Sequence, residues 1–98
     1  MSTDAEQATL HVLAGLADTK TASRVCWRDD HPVIDFTAIR ADCCSHGETV
    51  LCDVALDLWN GGGYATIADV IATLDDRNFR RVVEAIALSR GHTIALDG

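Results

Sequence analysis

Apolar positions along the chain recur at helical spacing in four stretches. Between Asp4 and Ala17 they fall at Ala5, Ala8, Val12, Leu13 and Leu16, close to one face of a 3.6-residue period. Thr3 or Asp4 supplies a cap, and Glu6 sits in the first turn, where a carboxylate suits the positive helix end. The face is narrow and alanine-rich, so this helix is expected at the edge of the core. The next stretch is sharper: Val50, Leu51, Val54, Ala55 and Leu58 form one stripe, and His46, Thr49, Asp53, Asp57 and Asn60 form the opposite one. Ser45 and Glu48 have capping-box spacing at its start, and Gly61-Gly62-Gly63 stops it. Thr66 opens a third helix with Ile67, Val70, Ile71 and Leu74 expected inward. Asp75 or Asp76 caps a fourth, with Phe79, Val82, Val83 and Ile86 expected inward and Arg90-Gly91 as its end.

The pattern changes between these helices. Thr19–Ser23 is a polar connection. Arg24–Arg28 and Pro32–Phe36 are short and β-prone, separated by Asp29-Asp30-His31. Two arrangements fit: a β-hairpin, or an extended loop leading into a short helix from Asp35 to Ala41. The tail His92–Leu96 alternates and has the pattern of one short strand. The expected fold is therefore a single, mainly α domain, a bundle of about four helices with a short hairpin as one option near residues 24–36. Its parts are an N-terminal helix (1–20), a mixed connection or hairpin (21–44), a three-helix unit (45–91) and a tail (92–98).

Composition agrees with this reading. In 98 residues, 48% are hydrophobic and 23% charged, which excludes global disorder, while only 5% are aromatic, so Leu, Ile, Val and Ala must fill the core. No apolar run is long enough for a membrane span, and the acidic start Met1–Glu6 lacks the basic and apolar regions of a secretory signal. A cytoplasmic location with reduced cysteines is expected. The single lysine (Lys20) and the alanine content suggest a GC-rich coding sequence of bacterial or phage type.

The net charge of −7 and pI of about 4.7 disfavour nucleic acid as a partner of the whole domain. The charge is unevenly placed. Residues 45–76 carry Glu48, Asp53, Asp57, Asp69, Asp75 and Asp76 with no Lys or Arg, whereas Arg77, Arg80, Arg81 and Arg90 lie on the last helix. The pair Thr66–Leu74 and Asp76–Arg90 resembles the helix-turn-helix half of a winged-helix domain. That resemblance implies a support helix, a recognition helix presenting Arg77, Arg80 and Arg81, and a rudimentary wing after Gly91. Against it stand Asp75 and Asp76 at the same helix end, where phosphates would have to approach.

Other chemistry is weaker. Cys26, His31, Cys43, Cys44, His46 and Cys52 are close in sequence, but their spacings are poor for tetrahedral zinc, and Cys52 is best read as a small core residue. A cysteine nucleophile at Cys43 or Cys44 lacks an identifiable base and orienter. The triple glycine has neither the following Lys-Ser/Thr nor the preceding strand of a phosphate loop. No cofactor or metal is expected, and no enzymatic activity. Trp59 and Tyr64 flank the triple glycine as a lid on the core or as aromatic anchors for a partner, since such residues dominate interface hot spots. An exposed aromatic there equally suits a homodimer interface. The leading expectation is a small acidic, non-enzymatic protein-binding or regulatory module acting through Asp53, Asp57, Trp59 and Tyr64. A winged-helix-like DNA-binding regulator is the alternative, and a thiol- or zinc-dependent protein the second.

Overall fold

A computed structural model describes residues 3–16, 24–43 and 45–91. Among them are five helices and a two-stranded antiparallel hairpin: α1 (Asp4–Leu13), β1 (Val25–Arg28), β2 (His31–Ile34), α2 (Phe36–Ala41), α3 (His46–Asn60), α4 (Ile67–Thr73) and α5 (Asp76–Ser89). The domain is mainly α. Residues 25–34 form the hairpin rather than the extended loop, and the short helix of the other arrangement follows it directly as α2, whose start is capped by the Asp35 carboxylate accepting the Ala38 N–H. The expected tail strand after Gly91 lies outside the described residues.

The helix ends follow the polar residues that stop orphan backbone groups from going unpaired. Thr3 and Glu6 form a reciprocal capping box on α1, Ser45 accepts the Glu48 N–H on α3, Thr66 accepts the Asp69 N–H on α4, and Asp75, rather than Asp76, accepts the Asn78 N–H on α5. Gly61 closes α3 in the left-handed region, at φ 70°, where a Cβ would be strained.

The expectation for α1 is overturned. It stands at the centre of the core, not at its edge. Ala8, Thr9 and Val12 are fully buried, and Leu13 and Leu16 nearly so, with α1 packed against both α3 and α5. Two features make this possible. Small Ala8 permits close helix approach, and the Thr9 hydroxyl donates to the Ala5 carbonyl at 2.7 Å, so it buries without an unmet polar group.

α1 and α5 run antiparallel. His11 Nε2 lies 3.2 Å from Glu84 Oε1, and Arg81 Nη1 donates to the His11 carbonyl at 3.1 Å. At the end of this seam, a methyl on Gly15 would stand 2.7 Å from Asn78 Oδ1 and 3.1 Å from Arg81 Cδ, so the bare glycine permits the approach. From the other side, His31 Nδ1 meets both Glu6 carboxylate oxygens at 3.0 and 3.1 Å and ties the hairpin to α1. The α3 stripe completes the core with Val50, Leu51, Cys52, Val54 and Ala55, joined by Ile39 of α2 and by Val82 and Ala85 of α5.

Candidate functional site

Because α1 occupies the inner side of α5, the apolar residues that were expected inward on α4 and α5 do not all reach the core. Val82 is buried, and Val70, Leu74 and Val83 are half-buried. Ile67 and Ile71, however, are 78% and 65% exposed, Ile86 is 54% exposed, and Phe79 is exposed too. No residue of α4 is buried. The physical reason is geometric. A helix presents one arc to one neighbour, and α5 turns Ala85 toward the core and Asn78 and Arg81 toward α1. Phe79, Val83 and Ile86 are thereby left on a second arc facing α4.

Between these arcs lies a groove of about 420 Å³. Val54 and Leu58 of α3 and Ala65 form its floor, Ile67, Val70 and Ile71 one wall, and Phe79, Val82, Val83 and Ile86 the other. Only two lining residues, Asp57 and Thr66, carry polar side chains, and both are already engaged. Asp57 Oδ1 accepts the Tyr64 N–H at 2.7 Å and Oδ2 accepts the Ala65 N–H at 2.8 Å, while Thr66 Oγ1 caps α4. The groove thus offers chiefly apolar contact, with both of its polar side chains already engaged in local hydrogen bonds. Apolar concavities are a common form of interaction site in proteins.

The residues singled out from sequence are distributed as follows. Asp57 lines the groove, but its carboxylate clamps the 61–65 turn. Asp53 pairs with Arg40 of α2 and its side chain is only 13% exposed. The acidic face of α3 is therefore partly a set of internal ties. Trp59 is half-buried and packs its ring on Phe36, with centroids 5.9 Å apart, covering the α2–α3 contact. Tyr64 is exposed next to Ala65 at the end of the groove.

Arg77 and Arg80 are exposed on the outer side of α5, whereas Arg81 is half-buried against α1. Cys26 is exposed, the Cys43 thiol donates to the Ile39 carbonyl, and Cys52 is buried. Burial, with the neighbouring Cys43, pushes the Cys52 thiol up to about 11. Among the described residues, no group of three His, Cys, Asp or Glu side chains is arranged to hold a metal ion, and no helix is long and apolar enough to cross a membrane.

Sequence reasoning missed the groove because periodicity identifies an apolar face without saying whether a neighbour covers it. The available signal was the excess of apolar stripe on α4 and α5 over what a seven-residue helix can bury. No protein-family model, curated protein or solved structure matches the chain.

Proposed function

We propose that the chain is a non-enzymatic protein-binding module that receives an amphipathic helix of a partner protein in the groove between α3, α4 and α5. One observation carries this reading: Ile67 and Ile71 stand largely in solvent on a helix with no buried residue, facing Phe79 and Ile86 across an apolar cavity. Leaving those side chains in water is unfavourable by roughly 1–3 kcal/mol each relative to full burial, so a partner that covers them gains directly. The shape suits a helix. Phe79, Val83 and Ile86 make a ridge of two turns, about 10 Å long at 1.5 Å per residue, parallel in function to the Ile67–Ile71 pair on the other wall. Such ridges receive apolar anchors spaced i, i+4 and i+7. Tyr64, exposed at the groove end, adds an aromatic contact.

This reading keeps Tyr64 from the sequence-based expectation and moves the contact surface from the α3 acids to the groove. Asp53 and Asp57 support the fold around it. The test is a titration of the isotope-labelled chain with a designed helical peptide bearing leucines at i, i+4 and i+7. Amide and methyl shifts are expected at Ile67, Ile71, Phe79, Val83 and Ile86, and to vanish in Ile71→Asp. Shifts confined to the opposite face of α5, or none at all, would overturn the proposal.

A further inference from the structure

The groove has a charge as well as a shape, and resting on the helix-docking reading above, we infer that the partner helix it takes is cationic, with Lys or Arg flanking the apolar stripe. The two elements that form its floor and one wall lie within residues 45–76, a span holding six acids and no Lys or Arg, of which Asp53 is already paired with Arg40 of α2 and Asp57 lines the groove. Asp57 brings its carboxylate, an acceptor-only group that takes the Tyr64 and Ala65 N–H groups, to the groove itself. Beyond the α5 wall, a smaller depression is lined by Phe79 and Val83 with Asp76 and Arg80. Arg80 is the only base among the residues lining these two concavities, and it has an interaction within the chain; Arg77 and Arg81 lie beside it in a further depression along α5, together with Asp76 and Glu84. Two of the six acids, Asp75 and Asp76, stand at the junction of α4 and α5, Asp75 as the cap of α5.

An apolar floor with acidic surroundings selects a helix of matching pattern: leucine-type anchors inside, cationic side chains at the lips. The cations gain from acids that the fold holds in place, and the chain's net charge of −7 steers such a helix toward it. The same field rejects an acidic helix. It also disfavours a second copy of this chain, which would bring its own acid-rich α3 and α4 against these.

The experiment uses the whole chain and three synthetic peptides of about 18 residues, or five turns. One has a leucine stripe with lysine flanks, one the same stripe with glutamate flanks, and one the lysine composition shuffled so that no stripe remains. Binding is followed by isothermal titration and by methyl shifts in the groove, beside sedimentation of the chain alone. The lysine-flanked peptide is expected to bind at least about tenfold more tightly than the glutamate-flanked one near 0.1 M salt, with the gap narrowing as salt rises. The shuffled peptide should leave the groove methyls unmoved, and Ile71→Asp should abolish the binding. Equal affinity of the two striped peptides overturns the cationic partner while helix docking stands. Binding of neither striped peptide overturns helix docking itself. A dimer that Ile71→Asp converts to monomer overturns both in favour of a second copy.

Discussion

Arg81 Nη1 donates to the backbone carbonyl of His11 across 70 positions of chain, at 3.1 Å. A side chain that sequence places among candidate phosphate contacts is thus one tie between the first and last described helices, beside the His11–Glu84 contact. Arg81→Met, which keeps the aliphatic stem, is expected to destabilise the fold by about 1–3 kcal/mol through the carbonyl left unpaired. Arg77→Met, at an exposed position, should stay within about 0.5 kcal/mol of wild type. Urea unfolding midpoints of the two variants make the comparison, and equal midpoints would remove the tie from the account.

The hairpin turn is strained by its own residues. Asp29 and Asp30 have φ of 52° and 66°, the two left-handed positions of a two-residue turn that favours Asn-Gly. Replacing Asp29-Asp30 with Asn-Gly should raise stability by about 1 kcal/mol. A higher thermal midpoint with an unchanged helical circular-dichroism spectrum is the expected result, and a lower midpoint would show that other contacts of the aspartates outweigh the backbone.

Glu6 sets an acid-side dependence. The Thr3 backbone N–H first, then the His31 side chain, hold its carboxyl below the ordinary value of 4.5. A folded-state pKa lower than the unfolded one gives stability that is fully present above the unfolded value and is lost as pH falls through the folded one. Unfolding midpoints should therefore decline as pH drops below about 4.5, and Glu6→Gln should flatten that part of the profile. An unchanged slope in Glu6→Gln would assign the acid sensitivity to other carboxylates.

Cys52 acts at the opposite end of the scale. Its thiol, raised from 9.0 to about 11 chiefly by burial, favours the fold fully below the unfolded value, and that contribution fades as pH climbs toward 11. Thiolate is the reactive form, so iodoacetamide at mildly alkaline pH should label exposed Cys26 well before Cys52. Peptide mass spectrometry of timed samples measures the order, and early labelling of Cys52 would contradict its burial.

Much of the architecture could be read from particular residues. Thr3, Ser45, Thr66 and Asp75 each cap the helix they announce, because a capping bond is local and needs only a side chain a few residues from its N–H. The α3 stripe is legible for a similar reason. What could not be read depends on distant partners. Ala8 and Thr9 make α1 look weak, and only the tight approach of α3 and α5 turns their small size into an advantage. Asp53 and Asp57 look like solvated acids until Arg40 and the Tyr64 and Ala65 amides close on them. Trp59 is expected as either lid or anchor, and its contact with Phe36 of α2 could not be read from the sequence. The groove belongs to the same class, since it exists through what α1 covers and α4 is too short to fill.

The central place of α1 also bears on synthesis. Its apolar residues leave the ribosome among the first of the described chain, yet α5, which covers one side of them, follows some 70 positions later. At about 5–20 residues per second that is a delay on the order of 4–14 s, during which Val12 and Leu13 have no native cover from that side. Pairing so distant in sequence also slows the folding search. Of the described helices, α1 thus precedes by the whole length of the fold the helix that completes its cover.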